Sequence, residues 1–332
     1  MSTAAAERIV VTTPLATGEG GGLAEDVLDG LTRPFKELPP KHLYDARGAE
    51  LFDRICEQPE YYPTRTERAI LDARAGDIAA LTGAAELVEL GSGTAAKTRI
   101  LLQALGDAGT LRRYVPFDVT EGMVRDVADE LVELHPELLV HGIVGDFERH
   151  LGELPPRLDP QHGRIVAFLG GTIGNFIPGS RRRFLRSLAG AMDPGDVLLL
   201  GTDLVKDPAV IEAAYDDAAG VTAAFNRNML HVVNRVLGAD FEPDAFEHVA
   251  FFDHEHEWIE MRLRAQRRMD VRIEALDLEV TFAAREELRT EISAKFTRER
   301  LAGDLEAAGL ELMEVLTDPD ERFALSLSRP KH

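Results

Sequence analysis

The densest chemical signal in the chain is Glu89-Leu90-Gly91-Ser92-Gly93-Thr94, which follows the apolar run 87–90 and precedes a helix expected to begin near Ala95. Gly91 and Gly93 carry no Cβ, so the backbone can turn tightly there and a ligand can come up against it. Ala96 fills the third small position of a Gly-x-Gly-x-x-Gly dinucleotide loop, and alanine is allowed there, so spacing alone leaves NAD open. Glu89 tilts the choice: a carboxylate at the loop's leading edge suits the cationic amino-acid portion of S-adenosylmethionine and repels a pyrophosphate. A plain tight turn is the third reading. Two more carboxylates stand at matching places. Asp118 closes the run 114–117, where an acid can accept from both ribose hydroxyls. Asp146-Phe147 lies just past the next run, where the carboxylate can accept from an adenine amino group and the ring can pack on its face. Each Asp alone reads more simply as a helix cap. Their agreement at the carboxyl ends of successive strands is what points to a nucleotide crevice.

These residues need a frame to hold them. Short apolar runs at 87–90, 114–117, 138–144, 165–169 and 197–200 suit strands buried on both faces, with helical patterns between most of them. That alternation predicts a doubly wound, mainly parallel α/β sheet. Pro34 and Pro39-Pro40 break the region 23–62 into short amphipathic helices. Thr64-Arg65-Thr66-Glu67 reads as a capping box opening a helix to about residue 81. Residues 208–237 read as one long helix, and 246–282, alternating and rich in β-branched and aromatic residues, as an antiparallel module. A helix over 298–308 and a hairpin of 310–316 with 323–328, turning at Asp318-Pro319-Asp320, close the chain. A last strand entering a parallel sheet antiparallel resembles the class I methyltransferase (Rossmann-like) fold. The expected organisation is a flexible tail over 1–22, a mixed α+β substrate-binding domain from 23–64 and 207–290, and a donor-binding domain from 65–206 and 291–332.

Composition narrows the partners. The 58 acidic and 37 basic residues leave a net charge of −21, which repels nucleic acid and anionic membrane. No apolar run approaches the roughly 20 residues that span a bilayer, and residues 1–10 lack a basic, then apolar, secretory leader. A cytoplasmic monomer acting on small molecules is expected. The single cysteine, Cys56, sits in a helical pattern and reads as buried and inert. His254-Glu255-His256 would place two imidazoles on one strand face, but no third ligand is evident, so a charged hairpin is favoured over a metal site and no metal is expected. Asp216-Asp217 reads as a helix-surface or interdomain pair rather than as acid–base machinery.

Longer segments are more specific. They are Leu43-Tyr44-Asp45, Pro59-Glu60-Tyr61-Tyr62-Pro63-Thr64-Arg65-Thr66-Glu67, Phe168-Leu169-Gly170-Gly171-Thr172-Ile173-Gly174-Asn175, Tyr215-Asp216-Asp217-Ala218-Ala219-Gly220-Val221-Thr222-Ala223-Ala224-Phe225-Asn226 and Thr290-Glu291-Ile292-Ser293-Ala294-Lys295-Phe296. Through them the chain, from about residue 38 to its end, resembles the histidine-specific Nα-methyltransferases that open ergothioneine synthesis; Gly171 stands where that family suggests Ser. The resemblance implies methyl transfer from S-adenosylmethionine to the α-amine of free L-histidine, three times over, to the betaine hercynine. It assigns Gly91, Lys97, Asp118, Asp146 and Phe147 to the donor, although Lys97 by position alone reads as a solvated helix lysine. It assigns Asn175 and Tyr215 to the substrate carboxylate, Glu291 and Ser293, with Ile292 between them, to the imidazole, and Tyr61 to the imidazole side. Tyr44, Phe52, Gly170 and Met261 would line the pocket, with Tyr44 or a water near Gly170 handling the amine proton.

These types suit the task. A Glu can accept an imidazole N–H while a Ser donates to the other nitrogen, and two residues apart on an extended segment they share a face. Without the resemblance, Glu-x-Ser in a strand reads as a solvent-facing pair. A methyltransferase of the same fold for another amino acid or small amine, an NAD-linked oxidoreductase and a non-catalytic interaction protein are the competing readings.

Overall fold

The computed structural model describes residues 8–14, 22–93 and 95–331. Numbered along the chain, its strands are β1 (Ile9–Thr12), β2 (Lys36–Glu37), β3 (Glu86–Leu90), β4 (Arg113–Asp118), β5 (Leu139–Val144), β6 (Arg164–Phe168), β7 (Val197–Asp203), β8 (Phe246–Asp253), β9 (Trp258–Ala265), β10 (Met269–Ile273), β11 (Leu278–Phe282), β12 (Glu287–Ala294), β13 (Leu310–Thr317) and β14 (Phe323–Pro330). The apolar runs read as doubly covered strands are that. β3, β6 and β7 are buried at every residue, as strands under helices on both faces must be. They belong to an eight-stranded sheet ordered β1-β5-β4-β3-β6-β7-β14-β13. β3 to β7 run parallel, and β14 inserts antiparallel between β7 and β13, which is the class I methyltransferase arrangement.

The alternating region forms the antiparallel pairs β8–β9 and β10–β11. β9 also pairs with β12 to give a four-stranded sheet, β2-β12-β9-β8. One apolar cluster joins Val27, Leu43 and Ile55 to Ile211, Met229, Phe246 and Leu288. Two others flank the large sheet. Each fully buried Leu, Ile or Phe contributes roughly 1.5–3 kcal/mol, so the smaller sheet has a core of its own. β12 passes from one core to the other: Leu288 lies in the first, whereas Ile292 and Ala294 lie in a cluster of the large sheet with Phe296. Beyond it, the Phe296 amide donates to Asp203 O (2.8 Å) and the Val205 amide to Phe296 O (3.0 Å), tying the end of β12 to the end of β7. No helix among the described residues is long and apolar enough to cross a membrane.

Several local expectations need correction. Within the expected tail, Ile9–Thr12 is an edge strand pairing parallel with β5; Ile-Val-Val-Thr has strong β preference, and β5 offers it an open edge. Residues 1–7 and 15–21 lie outside the described residues. The capping box does not form. Helix Pro63–Thr82 starts one residue earlier with no side-chain cap, because Glu67 is fully buried and turned inward. The long helix over 208–237 is two, Pro208–Tyr215 and Val221–Leu237. Gly220 adopts φ 71°, and Asp217 accepts from the amides of Val221 (2.9 Å) and Thr222 (2.6 Å); the apolar pattern continues across this stop and conceals it. The helix after the glycine loop begins at Thr98, not Ala95, since Ala95 takes φ 52°. His254-Glu255-His256 occupies the turn between β8 and β9 rather than a strand face. There Asp253 engages His256 Nδ1 (2.7 Å) and the His256 ring stacks on Trp258. No cluster among the described residues could hold a metal.

Candidate active site

A cavity of about 1180 Å³ is lined by residues at the carboxyl ends of β3, β4 and β5, by the loop after β6, and by β9 and β12. Every residue assigned from the sequence lines it: Gly91, Lys97, Asp118, Asp146, Phe147, Tyr44, Phe52, Tyr61, Gly170, Asn175, Tyr215, Met261, Glu291, Ile292 and Ser293.

On one side the glycine loop makes a cradle. Gly91 (φ 72°) and Gly93 (φ 49°) are left-handed, a conformation other residues strain to adopt. The Gly93 amide donates to Asp118 Oδ2 and the Thr120 amide to Oδ1, each at 3.0 Å, so Asp118 shapes the loop while keeping lone pairs for a ligand. Asp146 is indeed a helix cap, accepting from the Glu148 amide at 2.8 Å. Phe147 packs edge-on against Phe168 and Phe184, and a methyl group at Gly91 would stand 3.7 Å from its ring. Thr94 lies outside the described residues. Glu89 is not free at the loop's edge: it is buried and accepts from Thr98 Oγ1 and from Tyr114 Oη (2.5 Å). Burial pushes its carboxyl up to about 7 against the pull of those bonds, so it braces the loop from beneath.

Lys97 is likewise not a solvated lysine. Its ammonium pairs with the buried Glu67, whose two oxygens also accept from the Gly170 amide at 2.8 and 3.0 Å. Glu67 thus links the donor loop to the left-handed Gly170 (φ 77°). Sequence reasoning missed it because the same glutamate fits a capping box.

The opposite wall is built on β12. Its register slips between Arg289 and Glu291, and Thr290 Oγ1, 2.5 Å from Asn226 Oδ1 and 3.0 Å from Met261 O, holds the bulge. Glu291 and Ser293 both line the cavity. Burial pushes the Glu291 carboxyl up to about 7, against the attraction of Lys295. Ser293 Oγ accepts from Lys295 Nζ at 3.0 Å. That fully buried lysine also donates to Tyr215 Oη (3.1 Å) and pairs with Asp203 (2.9 Å). Asp203 in turn accepts from Tyr62 Oη (2.8 Å) and Lys206 (2.5 Å). Lys295, Asp203 and Tyr62 went unread as site residues, although Lys295 shares the 291, 293, 295 alternation that a strand projects to one face.

The turn Thr172–Asn175 lies against β12. A methyl at Gly174 would come within 2.8 Å of Ala294 O and 3.2 Å of Ser293 Oγ, so only glycine permits this approach. It brings Asn175 to the cavity beside Ser293. Rings close the remaining side: Tyr44 on Phe52 (5.4 Å) and Phe225 (5.3 Å), Phe52 on Tyr61 (6.0 Å), and Tyr61 on Tyr215 (6.3 Å). Burial raises the pKa of Tyr61 and Tyr215, and desolvation together with Glu291 raises that of Tyr44. All three hydroxyls therefore stay protonated at neutral pH. Cys56, half-buried at a helix end, lies 3.4 Å from Thr64 Oγ1, and burial raises its thiol pKa.

Residues 23–330 match the model of a family described as histidine-specific, S-adenosylmethionine-dependent methyltransferases. The chain is 54% identical to the histidine N-alpha-methyltransferase of Mycolicibacterium smegmatis over 306 residues, 92% of this chain and 94% of that one. It is 51% identical to the enzyme of that name from Mycobacterium tuberculosis, covering 94% and 97%. Ergothioneine biosynthesis protein 1 of Neurospora crassa is 34% identical over 207 residues, 61% of this chain and 23% of its own length.

Proposed function

Since this chain belongs to the histidine-specific, S-adenosylmethionine-dependent methyltransferases, we propose that it methylates the α-amine of free L-histidine three times. The product is then hercynine, and the reaction the first step of ergothioneine biosynthesis. The observation that carries this reading is a single cavity with a glycine cradle and two carboxylates at one end and Glu291 with Ser293 at the other. The donor supplies an electrophilic sulfonium methyl. Gly91 gives it backbone to lie against, Asp118 accepts from its ribose, and Asp146 with Phe147 holds its adenine, while Lys97 braces the junction through Glu67. Glu291 accepts the imidazole N–H, Ser293 donates to the second ring nitrogen, and Asn175 and Tyr215 donate to the carboxylate. Tyr61, Phe52, Met261 and Ile292 enclose the ring.

With both substrates held this way, transfer is an in-line displacement at carbon by a neutral amine. Alignment alone can supply about 7–11 kcal/mol. The amine proton passes by way of Tyr44, or a water beside Gly170, to solvent; Tyr44 stays protonated and relays rather than stores charge. The rings of Tyr44 and Phe52 can face a quaternary ammonium favourably, which leaves room for the third methyl. The substrate side is assigned to 23–64 with 207–290 and the donor side to 65–206 with 291–332. One chain supplies both, so a monomer in the cytoplasm is sufficient. Mass spectrometry after incubation with excess donor should show trimethylhistidine as the end product. Accumulation of monomethylhistidine alone would overturn the triple transfer, and preference for another amine in an amino-acid panel would overturn the acceptor.

A further inference from the structure

Lys295 is a buried cation one turn of the strand pattern beyond the residues that read the ring. Its ammonium has three hydrogens and no lone pair, and three oxygens surround it: Asp203 Oδ2 at 2.9 Å, Ser293 Oγ at 3.0 Å and Tyr215 Oη at 3.1 Å. Burial by itself would lower its pKa, but the Asp203 carboxylate prevails and raises it, so the group stays charged. Asp203 is held in turn by Tyr62, Lys206 and the Phe296 amide, which donates to its carbonyl. The arrangement sets hydrogen-bond polarity. A hydroxyl that accepts from an ammonium cannot donate back to it, so the hydrogens of Ser293 and Tyr215 must point elsewhere. The two hydroxyls neighbour each other, and one hydrogen can pass between them while the pocket is empty. A ligand offering two acceptors, a carboxylate and a ring lone pair, draws both into the cavity.

Resting on the histidine site described above, we propose that Lys295, anchored by Asp203, is a positioning and specificity-determining residue. By occupying a lone pair on each of Ser293 and Tyr215 it biases both toward donation into the cavity, and thereby makes the pocket prefer a ring nitrogen with a free lone pair. Glu291 can only accept when ionised; Ser293, left alone, could rotate to accept or donate. Lys295 occupies one of the two lone pairs of that hydroxyl and so biases it toward donation, and the two ring edges are then read in opposite senses.

The test compares histidine with the pyrrolylalanines that keep one ring N–H but carry C–H in place of the lone-pair nitrogen. The wild-type enzyme should favour histidine strongly in kcat/KM over the better of these analogues. In Lys295→Met the ratio should fall by about tenfold or more, while affinity for S-adenosylhomocysteine, read by calorimetry, is unchanged. Because that variant leaves Asp203 short of a partner, Lys295→Met/Asp203→Asn provides the same comparison with the orphaned charge removed. Ser293→Ala, which deletes the directed donor itself, should lower the ratio as well. A ratio unchanged in the lysine variants, with both substrates weakened in proportion, would show that Lys295 merely supports the fold and would overturn the proposal. So would an unchanged ratio in Ser293→Ala. Failure of the wild type to turn over histidine at all would instead reject the site reading beneath it.

Discussion

At the scale of single residues, burial moves the protonation equilibria of two of the site's glutamates. Glu291 ordinarily ionises near 4.5, yet burial lifts it to about 7, so near neutrality a substantial fraction remains a neutral acid. In that form only the carbonyl oxygen accepts from an imidazole N–H, and more weakly than the carboxylate, whose two oxygens both accept with the help of its charge. The sign follows: binding of the neutral ring should strengthen as pH rises through about 7. In wild type, kcat/KM for histidine should therefore show an enzyme-borne step there, on top of the substrate imidazole's own titration at about 6.5 and separate from the rise at higher pH as the amine loses its proton. Glu291→Gln should lose the step, and at pH 8 should cost roughly 10- to 100-fold in kcat/KM, the equivalent of a charged hydrogen bond. A step surviving in that variant would assign it to another group. Glu67 shows why such residues escape a reading by spacing. Thr64-x-x-Glu67 satisfies a capping pattern, but the glutamate's partners, Lys97 and Gly170, lie 30 and 103 residues away.

Among elements, β12 and the turn Thr172–Asn175 decide whether the reading residues meet. The Glu291/Ser293 pair was legible as two side chains on one face, and the alternation does put both into the cavity. The bulge at Thr290 that sets their register was not legible, since it depends on Asn226 and Met261 across the sheet. The turn is equally dependent. Gly174 packs where a methyl would stand 2.8 Å from Ala294 O, and backbone cannot yield that space cheaply. Gly174→Ala should push the turn away from β12 and carry Asn175 with it. The expected result is a histidine KM raised about 10- to 100-fold, in line with a displacement near 1 Å, with donor affinity little changed. Equal loss of both affinities by calorimetry would mean the turn serves the fold rather than the acceptor. The split of 208–237 into two helices belongs at this scale too: Gly220 and the Asp217 cap carry the stop, and Tyr215 ends the first helix at the cavity because of it.

Viewed as a whole molecule, the protein has three apolar clusters, and β12 joins that of the smaller sheet to one of the two flanking the large sheet, with the cavity drawing residues from both of these. The sheet extends further than composition suggested, because β1 adds to the β5 edge. Arg8 beside it donates to Val132 O (2.9 Å) and His135 O (3.1 Å) on the neighbouring helix. Deleting residues 1–14 should bare that edge and lower Tm by about 1–2 °C, the shift expected when a chain of this size loses roughly 1 kcal/mol. The histidine KM should stay unchanged, since β1 pairs at the outer edge of the eight-stranded sheet whereas β12 lies in the other, four-stranded sheet. An unaltered Tm in a thermal scan would show that β1 contributes nothing to stability.

Local pattern was enough to determine the parallel strands, the closing hairpin and the glycine loop, because each is written in short-range periodicity or turn chemistry, and the family resemblance of contiguous segments named residues that do line one cavity. Only tertiary structure decided what braces them. Glu89 beneath its loop, Glu67 between Lys97 and Gly170, and Asp203 under Lys295 are buried acids that each have at least one partner 25 or more residues away. A buried charge is tolerated only where the completed fold surrounds it with opposite charge and hydrogen bonds, and no window of sequence contains that surrounding.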